Sequence, residues 1–273
     1  MSRVDIDTGT EQLLCHVEDG VAVITLNRPE ARNALSDQLT PALRTQIRER
    51  GEDPAVGALV VTGAGTAFCS GGDVKGMGDR SARRSMPHDA RIADLRMRQN
   101  LLTGALAAVR KPTIAALPGA AAGAGLAIAL ACDMRIAAQS AFIASGYVKV
   151  GLPGDYGIAW LMTRTVGSAR ARELMFTGER VDAARGEAIG LFNRVVPDDK
   201  LMAETLALAR DLAAGPRLAI AAMKDNLDDA LMLGFDAARD REAERMVRAQ
   251  VSNDHREAVA AFVEKRKPRF TGT

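Results

Sequence analysis

The chain has 273 residues, of which 47% are hydrophobic and 26% are charged, a balance typical of a globular protein rather than a disordered one. Its 36 basic residues nearly balance its 34 acidic ones, and only 4% of residues are aromatic, so the composition argues against a nucleic-acid-binding surface. Cys15, Cys69 and Cys132 are widely spaced and form no CxxC pair, so we expect reduced thiols and no metal site.

Export and membrane signals are weak. The N-terminal segment carries acidic residues early and has no apolar core of signal-peptide length, which predicts a cytoplasmic protein. No charged residue lies between Lys111 and Asp133, and a stretch of this length can cross a membrane. Pro118 and Gly119 interrupt it, however, and its content is mostly alanine. A buried strand, a tight turn and a buried helix explain it better than a membrane span.

The first predicted elements are a hairpin and a helix. Residues 12–17 and 21–27 form two apolar strands joined by Asp19-Gly20, a strong signal for a two-residue turn. Ser36 is a typical helix N-cap residue, and the sequence after it predicts a helix that runs to about Arg50.

The middle of the chain alternates short apolar runs with glycine-rich loops. Residues 77–90 are polar and basic, and we expect them to form a mobile flap. The wholly apolar run at 57–62 predicts a strand buried on both faces. Further strands are predicted at 113–117, 134–138, 142–144 and 191–196, and helices at about 90–109 and at 124–131.

The composition changes near Pro197. Before it, strands and helices are mixed, and after it every segment to about residue 264 has the pattern of an amphipathic helix. We therefore predict an α/β core over residues 1–197 and a C-terminal helical segment over 198–273.

Two glycine-rich loops, GAGTAFCSGG (63–72) and GAAAGAG (119–125), each lie between a buried strand and a helix. Such junctions expose backbone N–H groups that bind anions, although tight turns alone also need glycine. Neither loop has the spacing of a dinucleotide-binding fingerprint. The pattern alone predicts an α/β enzyme with an anion-stabilising site.

Four segments resemble the crotonase (enoyl-CoA hydratase/isomerase) family, and they occur in the family's order along almost the whole chain. They are NRPEARNALS (27–36), AFCSGGDVK (67–75), KPTIAALPGAAAGAGLAIALACD (111–133) and AFVEKRKPRF (261–270). The resemblance implies a spiral of ββα units with C-terminal helices that pack between subunits of a trimer or hexamer. It also implies an acyl-CoA thioester substrate and no permanently bound cofactor, with coenzyme A present only as part of the substrate.

The resemblance further implies an oxyanion hole. The backbone N–H groups of Gly72 and Ala124 would bind the thioester oxygen, where charge develops when a proton leaves the neighbouring carbon. Asp73 is expected to bond within its own loop. By the same resemblance, the residues around the substrate are Arg28, Ala31, Ser70, Gly71, Asp73, Val74, Gly125, Ala127, Tyr147 and Lys265.

The acid/base groups depart from the hydratase pattern. Ala127 and Tyr147 stand where hydratases of the family carry two glutamates, and neither is a base at neutral pH. Asp155 stands where some family isomerases carry a catalytic aspartate, although an aspartate before a helix also serves as an N-cap. Three hypotheses remain: an enoyl-CoA isomerase with Asp155 as proton shuttle, an enoyl-CoA hydratase, and a non-catalytic acyl-CoA-binding protein.

Overall fold

The computed structural model describes residues 3–73 and 86–273. Residues 77–85 of the predicted flap lie outside the described residues. Val74, one of the predicted substrate contacts, also lies outside them.

The strands form two sheets that the chain visits alternately. The hairpin is confirmed: β2 and β3 pair antiparallel, and Asp19 and Gly20 both adopt the positive φ angles, 51° and 75°, that a tight two-residue turn requires. The strands are β1 (Val4–Ile6), β2 (Leu13–Glu18), β3 (Val21–Leu26), β4 (Ala58–Gly63), β5 (Ala67–Cys69), β6 (Thr113–Leu117), β7 (Ala120–Ala122), β8 (Met134–Ala138), β9 (Phe142–Ala144), β10 (Arg180–Asp182) and β11 (Arg194–Val196).

The larger sheet has the order β1-β2-β3-β4-β6-β8-β11, and the smaller one has the order β10-β9-β7-β5. From β3 to β11 the larger sheet is parallel, and every residue of β4 is buried, as its wholly apolar sequence predicted. The pairs β4–β5, β6–β7 and β8–β9 each place one strand in each sheet before the chain enters helix. This repetition is the predicted spiral of ββα units.

The helices follow the strand pairs and then take over the C-terminal part of the chain. Ser36 Oγ accepts a hydrogen bond from Leu39 N at 3.0 Å, so it caps the first helix as predicted, and this helix ends two residues beyond Arg50. The helices are α1 (Leu39–Glu52), α2 (His88–Gln99), α3 (Ala105–Ala108), α4 (Ala124–Ala131), α5 (Ile158–Val166), α6 (Ser168–Thr177), α7 (Ala183–Ala188), α8 (Leu201–Ala213), α9 (Arg217–Met232), α10 (Phe235–Gln250) and α11 (Asn253–Val263).

Helix α4 explains the long uncharged stretch. All eight of its residues are buried, and it contacts strands of both sheets, so no position on it faces water. Within residues 3–73 and 86–273, no helix combines the length and the apolar character that a membrane span needs. Most predicted bounds lie within two residues of those in the structure, and two predicted elements differ more. A π-helical turn at Asn100–Gly104 joins α2 to α3, and the strand predicted from residue 191 begins only at Arg194.

The C-terminal helices do not all pack alike. Helix α8 lies on the larger sheet and buries Leu201, Ala209 and Ala213. Helices α9 and α10 bury none of their residues in the single chain. Large apolar side chains that remain exposed on the last three helices include Met223, Leu227, Met232, Phe235, Val247, Val259 and Phe262. The division at residue 197 stays a prediction.

Candidate active site

One cavity of about 870 Å³ lies where the two glycine-rich loops meet, and it has the size of a small-molecule site. Its walls come from the start of α1, the loop after β5, the first turn of α4, helix α2 and the loop before α5. Gly72, Ala124, Tyr147 and Asp155 all line it, so the cavity brings together residues that are 83 positions apart at the extremes, Gly72 and Asp155.

Two backbone amides face this cavity. Gly71 O accepts a hydrogen bond from Leu35 N at 2.8 Å, and Asp73 N donates to Leu35 O at 3.4 Å. The Gly71 carbonyl and the Asp73 N–H both point toward Leu35. The N–H of Gly72, which lies between them in the chain, therefore points away from Leu35. Ala124 is the first residue of α4, where the helix itself offers no acceptor for the N–H. Within the part of the chain that the structure describes, neither N–H donates to a protein acceptor.

Close backbone packing holds these two amides near each other. Gly71 has a φ of +92°, and a Cβ atom built on it would lie 2.8 Å from Ala122 O and 3.3 Å from Ala124 N. A Cβ atom on Gly125 would lie only 2.2 Å from Cys69 O. Both glycines therefore let the loop after β5 approach the start of α4, and a larger residue at either position would separate the two N–H donors.

The early segment is tied to the same loop by polar contacts. Arg28 Nη1 donates to Ala34 O at 2.8 Å and forms an ion pair with Asp73 Oδ2 at 3.2 Å. Ser70 N donates to Arg32 O at 3.0 Å, and Ser70 Oγ donates to Ala31 O at 3.4 Å. Of these residues, only Ser70 lines the cavity. The others brace the loop that carries Gly72.

Tyr147 and Asp155 form the buried polar pair of the site. Tyr147 Oη donates to Asp155 Oδ1 at 2.5 Å. Helix α5 begins after Gly157 and has no side-chain cap, so the carboxylate of Asp155 does not serve as its N-cap. A Cβ atom built on Gly123 would lie 3.9 Å from Tyr147 Cζ, which carries this hydroxyl. The pair therefore lies beside the first turn of α4.

Burial sets the protonation of this pair. It raises the pKa of the Asp155 carboxyl above its usual value, whereas the hydrogen bond from Tyr147 lowers it. Burial, together with the bond and charge of Asp155, raises the pKa of the Tyr147 hydroxyl. The tyrosine thus stays protonated and donates to the carboxylate.

Four other predicted contacts are not among the described residues that line the cavity: Gly71, Gly125, Ala127 and Lys265. Ala127 is fully buried in α4, so it brings no functional group to the cavity. Lys265 is exposed just beyond α11 and is not among the described residues that line the cavity. The structure provides no test of its predicted contact with substrate. Within the described residues, no group of three or more His, Cys, Asp or Glu side chains could hold a metal ion.

The structure adds lining residues that sequence reasoning missed. Arg44 on α1, Asp94 and Arg98 on α2, and Tyr156 all face the cavity. The one feature that could have indicated Arg44 is its position on α1 between Leu43 and Gln46, which are both buried. Tyr156 is distinguished only by its backbone, whose φ of 53° is unusual for a bulky residue and is visible only in the structure.

Comparisons with known proteins identify the family to which the chain belongs. A sequence model of the enoyl-CoA hydratase/isomerase family matches residues 16–273. The 1,2-epoxyphenylacetyl-CoA isomerase of Escherichia coli is 37% identical over 96% of this chain and 99% of its own length. A Mycobacterium tuberculosis protein described as a probable enoyl-CoA hydratase is also 37% identical, over 96% of this chain and 98% of its own. The crystal structure of an enoyl-CoA hydratase from a Polaromonas species superposes with a TM-score of 0.87 at 32% identity, covering 94% of this chain and 99% of the other. The chain therefore belongs to the enoyl-CoA hydratase/isomerase family, the crotonase family.

Proposed function

We propose that this chain is an enoyl-CoA isomerase that moves the double bond of a 3-enoyl-CoA to position 2, with Asp155 as the proton shuttle. The observation that carries the proposal is the carboxylate of Asp155 beside the first turn of α4, in the cavity that Gly72 and Ala124 also line. A single carboxylate is sufficient for this reaction, because the proton that leaves C2 returns at C4.

The steps balance without a cofactor. The thioester oxygen accepts hydrogen bonds from Gly72 N and Ala124 N while the Asp155 carboxylate takes a proton from C2. The C2–H electrons form the C1–C2 double bond of a dienolate, and negative charge moves onto the thioester oxygen. The carboxylic acid of Asp155 then protonates C4, the carbonyl reforms, and the double bond is left between C2 and C3. Coenzyme A takes part only as the thioester portion of the substrate.

Tyr147 supports this role by its hydrogen bond. Its hydroxyl donates to Asp155, which favours the charged carboxylate against the cost of burial. The raised pKa of Tyr147 itself keeps it from acting as a base. The two positions at which family hydratases carry glutamates thus hold a buried methyl group and a protonated donor. This arrangement favours proton transfer within the substrate over activation of water.

The proposal is tested by product analysis of the wild-type protein with two substrates, 3-hexenoyl-CoA and crotonyl-CoA. We expect 3-hexenoyl-CoA to become 2-hexenoyl-CoA of unchanged mass, and crotonyl-CoA to be consumed far more slowly. Rapid formation of a crotonyl-CoA product heavier by one water would identify a hydratase instead. Tight binding of both thioesters without turnover of either would identify a non-catalytic binder.

We further propose that the protein assembles as a trimer or hexamer through the C-terminal helical segment. The support is the row of exposed apolar side chains on α9, α10 and α11, which a single chain leaves in water.

A further inference from the structure

One wall of the cavity carries an arginine that forms no ion pair with a carboxylate of the described residues. Arg44 is half-buried on α1, and its Nε is buried without a hydrogen-bond acceptor in the part of the chain that the structure describes. Its Nη2 reaches only the carbonyl of Arg98, at 3.3 Å, and its guanidinium lies beside the Tyr156 hydroxyl. An arginine stays charged at every physiological pH, so this site holds a positive charge with unused donors.

The neighbouring arginine differs in this respect. Arg98 also lines the cavity, but its Nε forms an ion pair with Asp94 at 2.9 Å, which neutralises both groups. Asp37, a further acid of the cavity wall, is exposed at the start of α1. A half-buried guanidinium that forms no ion pair with a described carboxylate favours an anionic ligand group in the cavity. The contrast between the two arginines therefore points to a ligand group at Arg44.

The backbone at Tyr156 supports the same site. In extended chain, consecutive side chains face opposite ways, yet Asp155 and Tyr156 both line the cavity. The left-handed conformation of Tyr156, which bulky residues rarely adopt, accompanies this arrangement. The proposed base and the hydroxyl beside Arg44 are thus neighbours in the chain, with Cα atoms about 3.8 Å apart.

We propose that the acyl group of the substrate carries a carboxylate at the end remote from the thioester, and that Arg44 and Tyr156 bind this carboxylate. The guanidinium fork offers two N–H donors to such a group, and the tyrosine adds a hydroxyl donor. The substrate class is therefore a dicarboxylic acid linked to coenzyme A through one of its carboxyl groups. This assignment rests on the proposed function for the placement of the thioester.

The inference is tested by binding of two saturated six-carbon thioesters, adipoyl-CoA and hexanoyl-CoA, which differ in the terminal carboxylate and have no double bond to move. Calorimetry would give the dissociation constants for wild type, Arg44→Met and Arg48→Met. Arg48 is the matched control because it lies on the same helix, with a side chain that is 64% exposed and away from the cavity wall. We expect wild type and Arg48→Met to prefer adipoyl-CoA by on the order of tenfold or more, and Arg44→Met to lose this preference.

Equal or weaker binding of adipoyl-CoA by wild type would overturn the inference. So would an Arg44→Met variant that weakens both ligands by the same factor, since Arg44 would then act on coenzyme A or on the fold. Because the preference is a ratio within one protein, partial loss of folded Arg44→Met does not change it, and Arg44→Gln provides a second variant with the same expected loss. Wild-type isomerisation of 3-hexenoyl-CoA and of its terminal carboxylate analogue is measured separately. Failure of both to react, with the adipoyl preference intact, would contradict the isomerase proposal and leave the ligand class supported.

Discussion

At the scale of single residues, the Tyr147–Asp155 pair is central to the proton transfer that we propose. Burial raises the pKa of the Asp155 carboxyl, which makes it a better base than an exposed aspartate, and the Tyr147 hydroxyl opposes that rise. Burial thus makes the carboxylate more basic, and the hydrogen bond from Tyr147 favours its charged form. In the proposed mechanism the tyrosine is a positioning residue that acts through Asp155.

Replacement of Tyr147 by phenylalanine tests this balance. The change removes the one contribution that lowers the pKa of Asp155, so this pKa should rise further. The carboxylate is the active form of the base, and a higher pKa means that less of it is present at acidic pH. We therefore expect the acidic limb of the kcat/KM profile for 3-hexenoyl-CoA to move to higher pH in Tyr147→Phe. A limb that stays in place or moves to lower pH would show that Tyr147 does not tune Asp155.

Sequence reasoning predicted some of these residues and missed others for physical reasons. Gly72, Ala124 and Asp155 were predicted from the resemblance of their segments to the crotonase family, and the cavity brings them together. Arg44 was missed because an arginine on an amphipathic helix usually belongs to its solvated face. Tyr156 was missed because the side-chain identity gives no sign of a left-handed backbone.

At the scale of elements, the contact of α4 with β5 determines where the oxyanion donors lie. Gly125 allows the helix to approach the carbonyl of Cys69, and the uncharged sequence of α4 allows it to sit among strands of both sheets. The geometry of the proposed oxyanion hole therefore depends on packing behind the cavity, at residues that touch no substrate.

Replacement of Gly125 by alanine tests this dependence. The added methyl group would lie 2.2 Å from Cys69 O, so helix and strand must move apart. We expect the free energy of unfolding to fall by about 1–3 kcal/mol, the usual cost of overpacking a core, and kcat to fall with it. Chemical denaturation and turnover of 3-hexenoyl-CoA would measure the two effects.

Gly234 provides the control for this substitution. It has no neighbour within 4 Å of an added Cβ atom and a φ of −72°, so Gly234→Ala should leave both quantities nearly unchanged. Equal effects of the two substitutions would mean that the approach of α4 to β5 is unimportant.

Elements were predictable where apolar runs end at charged or glycine residues. The bounds of β6, α4, β8 and β9 match their predictions because charged residues, prolines, glycines or, between β8 and β9, the polar pair Gln139-Ser140 separate the runs. Strand β11 was predicted too long because Leu191 and Phe192, although apolar, follow a turn in which Leu191 N donates to Gly186 O. Their burial comes from packing against the core and not from strand pairing.

At the scale of the whole molecule, the single chain leaves the last three helices incomplete. Leu206, Leu208 and Leu212 of α8 pack against the core, so they do not contribute to an outer apolar surface. The exposed apolar side chains lie instead on α9, α10 and α11, where Leu227 is 68% exposed and Phe262 is 86% exposed.

Light scattering tests the proposed assembly. We expect wild type at micromolar concentration to have three or six times the 29.0 kDa mass of one chain. Leu227→Glu should reduce that mass, because a charge placed in an apolar interface must be desolvated. Val4→Glu is the control, since Val4 is also exposed but lies on the edge strand β1. A wild-type protein with the mass of one chain would refute the assembly.

The most direct test of the central claim is the rate at which Asp155→Asn isomerises 3-hexenoyl-CoA. The amide is nearly isosteric and still accepts the Tyr147 hydrogen bond, so binding of hexanoyl-CoA should be unchanged while kcat falls by on the order of a hundredfold or more. The exposed Asp199, replaced by asparagine in the same way, should leave both quantities unchanged. An Asp155→Asn protein that isomerises 3-hexenoyl-CoA at the wild-type rate would contradict the proton-shuttle role of Asp155.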